Sequence, residues 1–281
     1  MTDNAGARRY ALLELLADCP EGLTLAEAAE RLGADERTIR RDVDALQMLL
    51  SRSASIHLVR GKVQGSPSSH DSSMSAAGSP TKAAMAQAAM RHIRDGSAVV
   101  LTAGTSTLAV AVEIRRAQVA LEHPRDLIVF SNSLPALLEL VAGGVSAGVV
   151  GEVYNPVDRA FHSHELTTRF HASIAVVGAS GVILEPASGS VSLCSDRIEE
   201  AAFMRQLLTP VPQILVVAEA AKIGKHHPWS YTSDGLLVGK KLHIVTTQLE
   251  RWQREGLAAV ADNGRRTGVE LTYEEAVPCA E

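Results

Sequence analysis

The sequence lacks the features that mark membrane, secreted and disulfide-built proteins. No apolar run approaches the roughly 18 uninterrupted residues that a membrane-spanning helix needs, so a spanning protein is not expected. The opening residues, MTDNAGARRY, carry charge but no apolar stretch leading to a small-residue cleavage site, so no signal peptide is read there. Cysteine is scarce. Cys19, Cys194 and Cys279 are too few and too scattered for a disulfide framework or a zinc cluster, and a cytoplasmic protein is expected. An excess of basic charge is also missing. The formal net charge of −5 argues, taken whole, against a nucleic-acid partner, because such attraction needs local positive charge.

What is present is ample core material. The 281 residues are 46% hydrophobic and 21% charged, which excludes a disordered, collagen-like or coiled-coil chain and suits two ordinary domains or one large α/β domain. One segment divides the chain. Residues 65–80 read GSPSSHDSSMSAAGSP, rich in Ser, Gly and Pro and without apolar periodicity. Such a composition cannot bury enough surface to offset its ordering entropy. A first domain over residues 1–65, a flexible linker over 66–80 and a second domain over 81–281 are therefore expected. A long surface loop inside one domain is the alternative reading.

The first domain reads as short helices. A helix is expected over about Ala7–Asp18, ended by the turn at Pro20–Gly22. Thr24, with Glu27 three residues on, has the capping-box spacing for a second helix, Leu25–Leu32, which Gly33 stops. Asp35 can cap a third, from Glu36 to about Leu50, with Ile39, Val43, Leu46 and Leu50 on one face. Two helices joined by a short glycine turn make a helix-turn-helix, whose second helix enters the major groove of DNA. On that helix Arg37 and Arg41 project opposite the apolar stripe, with Arg40 on the flank and Thr38 on the other side. Arginines so placed can reach guanine edges or clamp phosphates; equally, they can form a solvated face paired with Asp42 and Asp44. Residues 37–65 carry six Lys/Arg against two Asp/Glu, a net +4 that the whole-chain figure conceals. The run Ile56–Gln64 suits a small hairpin.

Beyond the linker, apolar strands alternate with amphipathic helices. Strands are expected at Ala98–Leu101, Leu127–Phe130, Ala147–Val150, Ile174–Val177, Ile214–Val217, His243–Thr246 and Val269–Tyr273, and the final EEAVPCAE is read as a frayed tail. The alternation predicts a mainly parallel sheet with helices on both faces. Two strand-to-helix junctions offer anion chemistry. In LTAGTSTLA, Gly104 is followed by Thr105, Ser106 and Thr107; in FSNSLP, Ser131, Asn132 and Ser133 follow a strand. Amides at a helix N-terminus joined by hydroxyls suit phosphate, although the same residue types are ordinary helix caps. In AEAAKIGK, Lys222 is a candidate ammonium contact to phosphate or a sugar oxygen, with Glu219 near enough to orient it. VGASGV (177–182) lacks the spacing of a dinucleotide fingerprint, and no cofactor is expected. None of the histidines, among them His162, His164, His171 and the pair His226–His227, shows zinc-ligand spacing, so no metal is expected.

The stretch LTLAEAAERLGADERTIRRDVDAL (23–46), followed by HLVRGKVQG (57–65), resembles the N-terminal signature of the DeoR family of bacterial transcriptional regulators. The resemblance implies a winged helix-turn-helix, with Arg37, Thr38, Arg40 and Arg41 facing double-stranded operator DNA and Arg60 and Lys62 in the wing. Asp35 stands where the family usually has serine, and Gly61 is single where it has two glycines. The resemblance extends into the second domain and implies a sugar-phosphate-isomerase-like effector fold. There Lys82 opens the first helix, GTST matches the glycine–threonine–threonine motif, Ser131–Ser133 a threonine–asparagine segment and Gly151 a double glycine. Glu200 matches an acidic position, and Glu219 with Lys222 matches an aspartate–x–serine–lysine motif. Thr102, Val150, Glu219 and Ala221 depart from the pattern.

The expected protein is thus α/β, with a winged helix-turn-helix joined by a Ser-rich linker to an effector domain that also oligomerises, at least as a dimer. The function implied is a regulator, a repressor of carbohydrate-metabolism genes, answering to a phosphorylated sugar or polyol. Two alternatives remain open at this point: an isomerase-like enzyme with a fused DNA-binding head, and a regulator whose pocket no longer binds a ligand.

Overall fold

The computed structural model describes residues 8–9, 11–12, 15, 23–50, 56–59, 62–65, 78–156, 158–166, 170–232 and 235–277; for 45–50, 56–59, 62–65 and 265–267 it describes the backbone alone. The chain divides into two compact units, Met1–Ser73 and Met74–Glu281.

In the first unit, helical residues at 8–9, 11–12 and 15 precede strand β1 (Leu23–Thr24), helix α1 (Leu25–Leu32), helix α2 (Glu36–Leu50) and strands β2 (Ile56–Val59) and β3 (Lys62–Gly65). The capping box forms as its spacing dictates: Glu27 N donates to Thr24 Oγ1 at 3.1 Å, and Thr24 N donates to Glu27 Oε2 at 2.7 Å. Gly33 ends α1 in the left-handed region at φ 60°. Asp35 accepts from Thr38 N at 2.8 Å and opens α2. Leu12, Ala28, Ile39 and Val43 pack into one small core. Strand β3 pairs antiparallel with β2 on one side and with β1 on the other, so the hairpin is anchored to the residues that start α1. The strand β1 was not anticipated; at two residues it carries no periodicity to read.

The second unit begins with helix α3 (Pro80–Met90), strand β4 (Ala98–Leu101), helix α4 (Thr105–Val119), strand β5 (Ile128–Ser131), helix α5 (Leu134–Ala142) and strand β6 (Ser146–Val149). Short strands β7 (Val153–Asn155) and β8 (Ala160–His162) follow, then β9 (Ile174–Val177), β10 (Gly181–Glu185) and β11 (Ser190–Ser195). Helix α6 (Ile198–Leu208), strand β12 (Gln213–Val217), a single 3₁₀ turn (Ala220–Lys222), strands β13 (Trp229–Ser230) and β14 (Lys241–Thr246), helix α7 (Arg251–Thr267) and strand β15 (Glu270–Glu275) complete it.

Seven strands, in the order β15-β14-β12-β9-β4-β5-β6, form one all-parallel sheet. Side chains alternate across it with the period of two that a strand imposes. Val99, Leu101, Val176 and Val217 face one core with α3, α4 and α5, whereas Val100, Val177, Val216 and Ile244 face another with α6 and α7. Being covered on both faces, these strands are near-continuous apolar runs, which is why the sequence revealed them. The chain proceeds from β4 outward to β6, then returns to β9 on the other side of β4 and proceeds outward to β15. The crevice beyond the carboxyl ends of β4 and β9 is therefore the topological switch point, where ligands bind in open parallel sheets.

The tail reading is corrected by the structure. Glu274 and Glu275 belong to β15, and Ala276 is buried with its N–H on Thr246 O at 2.7 Å. Glu275 is fixed by Arg254 Nε at 2.6 Å, a partner twenty-one residues away that no local pattern announces. Pro278, Cys279, Ala280 and Glu281 lie outside the described residues.

Candidate functional site

The junction between β4 and α4 is built around Gly104. Its φ of 145° and ψ of 158° are open to glycine and rarely to any L residue, and it is the N-cap of α4 without any side-chain cap. The first-turn amides of α4 are left without intrahelical acceptors, and the helix dipole adds partial positive charge at the same point. Around this N-terminus lies a cavity of about 360 Å³, lined from the carboxyl ends of β4, β9 and β12 and from β11.

Two lysines reach the cavity. Lys82, in the first turn of α3 and largely buried, donates from Nζ to Thr105 Oγ1 at 2.9 Å and lies 3.5 Å from Glu219 Oε1. Lys222, in the 3₁₀ turn after β12, lines the same space. Opposite them, Ser195 Oγ donates to Glu200 Oε2 at 2.6 Å and accepts from Arg197 N at 3.1 Å. Tyr231 is buried and donates to Gly178 O at 3.2 Å; burial first, and the Glu200 charge second, push its phenol well above the ordinary value. Burial likewise raises the Cys194 thiol, making it a poor nucleophile. The wall thus offers donors from a helix N-terminus and two ammonium groups, and acceptors from two carboxylates. That is the chemistry of a ligand with an anionic end and a hydroxylated one.

Five of the ten effector residues expected from the sequence line this cavity: Gly104, Thr105, Ser106, Glu200 and Lys222. The other five are placed elsewhere. Thr107 is fully buried, its hydroxyl donating to Gly104 O at 3.0 Å. Ser131 donates to Leu101 O at 2.7 Å, and Ser133 caps α5 by accepting from Ala136 N at 3.3 Å. Asn132 accepts from Ala103 N at 2.9 Å and donates to Phe161 O at 3.2 Å. Gly151 stands against Phe161, where a Cβ would meet backbone at 2.8 Å. β8 accounts for two of these placements: Phe161 N donates to Asn132 O at 2.7 Å, and the same residue stands against Gly151. Thr102 is buried too, its hydroxyl accepting from Gly178 N at 3.3 Å and fixing the loop after β9. Sequence reasoning passed over Ser195 and Tyr231, although the alternation of SVSLCS is a strand signal. It named Lys82 without assigning it to the ligand.

In the first unit Arg37, Arg40 and Arg41 are exposed on α2, opposite the buried Ile39 and Val43. Thr38 is half-buried, and its hydroxyl donates to Asp35 Oδ2 at 3.0 Å. The bond from Thr38 N, and then the one from its hydroxyl, hold the Asp35 carboxyl below its ordinary pKa. Asp42 does not pair with the arginines of its own helix. It is buried and accepts from Arg8 Nε at 2.6 Å and Arg9 Nε at 2.8 Å. Lys62 sits in β3 opposite Val59 and Thr24, while Arg60 and Gly61 lie outside the described residues.

These two units define a regulator class: the first carries a helix-turn-helix, and the second a parallel sheet with a cavity at its switch point. The family models agree. Residues 8–65 match an HTH domain, and residues 78–234, more than half of the chain, match the DeoR C terminal sensor domain. The chain belongs to the DeoR family of DNA-binding transcriptional regulators. It is 25% identical over 275 residues to the transcriptional repressor AccR of Agrobacterium fabrum, covering 95% of this chain and 93% of that one. It is 36% identical over 131 residues to the HTH-type transcriptional regulator YgbI of Escherichia coli, covering 44% of this chain and 46% of that one, so the match spans about half of that relative. Among solved structures, ribose 5-phosphate isomerase of Plasmodium falciparum overlaps 52% of each chain at 12% identity with a TM-score of 0.38. The Methanocaldococcus jannaschii isomerase overlaps 50% of this chain and 53% of its own at 14% identity and 0.37. Among the described residues no helix is long and apolar enough to cross a membrane.

Proposed function

We propose that this protein is a cytoplasmic repressor of carbohydrate-metabolism genes, released by a phosphorylated sugar or polyol. Residues 1–65 read operator DNA through Arg37, Thr38, Arg40 and Arg41 on α2 and Arg60 and Lys62 in the wing. Residues 66–80 link this reader to residues 81–281, which sense the ligand and join copies of the chain into at least a dimer. Two-fold symmetric readers match paired half-sites, which is the reason to expect a dimer.

The observation that carries the reading is the convergence of Lys82, Lys222 and the uncapped N-terminus of α4 on one cavity. A phosphate there would meet backbone amides and two ammonium groups. Glu200, Glu219 and Ser195 line the same cavity and would take the hydroxyls of the carbon chain. Binding shifts the DNA-binding equilibrium only through different affinities for the two states of the protein. A thermal-shift screen of phosphorylated sugars and polyols tests this, since a ligand of the folded state raises apparent stability. A hit that also loosens operator DNA supports the reading; turnover of that compound would favour an isomerase-like enzyme, because Glu200 and Glu219 both face the cavity.

A further inference from the structure

On the face of the sheet that packs with α3, the parallel register of β14 and β15 sets His243 opposite Thr272, and Glu274 follows on the same face two residues later. His92, two residues past the end of α3, meets this pair. His92 Nε2 lies 2.9 Å from Glu274 Oε1, and His243 Nε2 lies 3.6 Å from the same oxygen. All three ligand atoms fall within 4.8 Å of one another, and among the described residues this is the group of His and acidic side chains with that geometry.

We propose that His92, His243 and Glu274 form a site for a divalent transition metal of the zinc class, held by the two Nε2 atoms and Glu274 Oε1, with the fourth position left to water. Four observations support it. First, a tetrahedral ion with bonds of about 2.0–2.1 Å needs neighbouring ligand atoms roughly 3.3 Å apart, and 2.9 and 3.6 Å bracket that separation. Second, His243 Nε2 is buried without a hydrogen-bond partner, a polar atom that a metal would satisfy. Third, His243 Nδ1 lies 2.7 Å from Thr272 Oγ1; with Nδ1–H donating there, Nε2 keeps the lone pair a metal takes. Fourth, Glu274 Oε2 accepts from Arg91 Nη2 at 2.8 Å, which orients the carboxylate so that Oε1 faces the two imidazoles. The rings of His92 and His243 lie 4.0 Å apart, so admitting the ion requires the half-buried His92 ring to turn outward. The site is distinct from the effector cavity. It grips the far end of α3, about 15 Å along the helix from Lys82, so an ion here braces the helix that carries a cavity lysine.

The test is a titration of chelator-stripped full-length protein with Zn²⁺ against a chromogenic competitor. One tight equivalent is expected, lost in His92→Ala and in Glu274→Gln, and weakened about tenfold in Thr272→Val, which keeps every ligand. Loading with Co²⁺ should give the visible bands of a tetrahedral ion, absent from His92→Ala. Because His92 is half-buried and lies beyond the helix end, that variant keeps the fold, which circular dichroism checks. No stoichiometric binding by the intact chain, or equal binding by the intact chain and the ligand variants, overturns the proposal.

Discussion

The carboxylate of Asp42 is buried against Arg8, whose Nε stands 2.6 Å from Asp42 Oδ2. The aspartate that closes the TIRRD stretch therefore clamps the N-terminal helical residues onto α2 and leaves the arginines of α2 unpaired with it. The clamp frees the exposed face for another partner. Replacing Asp42 by Asn should destabilise the N-terminal unit by about 1–3 kcal/mol, the range for a hydrogen bond to a charged group whose partner keeps some water. Denaturant unfolding of the full chain followed by circular dichroism measures it; an unchanged first transition would mean the clamp contributes nothing.

Arg41 is exposed, so its removal should leave stability within about 0.5 kcal/mol of the parent. Operator affinity should fall by about 1–3 kcal/mol if the side chain reads a base. Fluorescence anisotropy on labelled duplexes separates the two effects. Parental affinity in Arg41→Ala would remove α2 as the recognition helix.

Gly104 is held at φ 145°, and a Cβ there would also meet Thr107 Oγ1 at 3.3 Å. Gly104→Ala should lower stability by about 1–3 kcal/mol, the cost of a disfavoured backbone conformation, and weaken ligand binding because the first-turn amides move. Calorimetric unfolding with and without ligand checks both effects, and a variant as stable and as responsive as the parent would show that the junction tolerates a side chain.

His162 packs against Phe203 with its ring largely buried and its Nε2 3.2 Å from Asp158 Oδ2, whose charge Arg197 already engages; burial lowers its pKa, partly offset by Glu200 and Glu199. A base whose folded pKa is lowered binds fewer protons when folded than when unfolded, so stability rises with pH across the interval between the two values. On acidification, loss should begin as the pH falls through the unfolded value of about 6.5 and continue down to the folded value. Melting temperatures from pH 7.5 to 5 should fall, with a shallower slope in His162→Asn. Equal slopes would assign the acid sensitivity to other groups.

Much of this architecture was legible because buried parallel strands announce themselves. AVVL, IVF, IAVV and ILVV are uninterrupted apolar runs, and Thr24, Glu27 and Gly33 are residue types with a single local job. The candidate site was half legible for a physical reason. Gly104 and its neighbours shape the cavity through local backbone geometry, which a motif encodes. Ser131, Asn132 and Ser133 carry the same chemistry, yet Ser131 is spent on Leu101 O, Ser133 on capping α5, and Asn132 on Phe161 of β8, some thirty residues away. Lys82 reaches Thr105 across twenty-three residues, and His92 meets Glu274 across 182, separations that no window along the chain spans.

In the proposed regulator, the cavity at the end of β4 governs DNA binding. This is tested most directly by titrating the full chain, bound to labelled operator selected from random duplexes, with the phosphorylated compound that best raises its melting temperature. The anisotropy should fall as the ligand saturates, and Lys82→Met and Lys222→Met should keep operator affinity while failing to release it. Release that proceeds equally in both lysine variants, or operator binding that no stabilising phosphorylated compound alters, would show that this cavity does not control the DNA-binding unit.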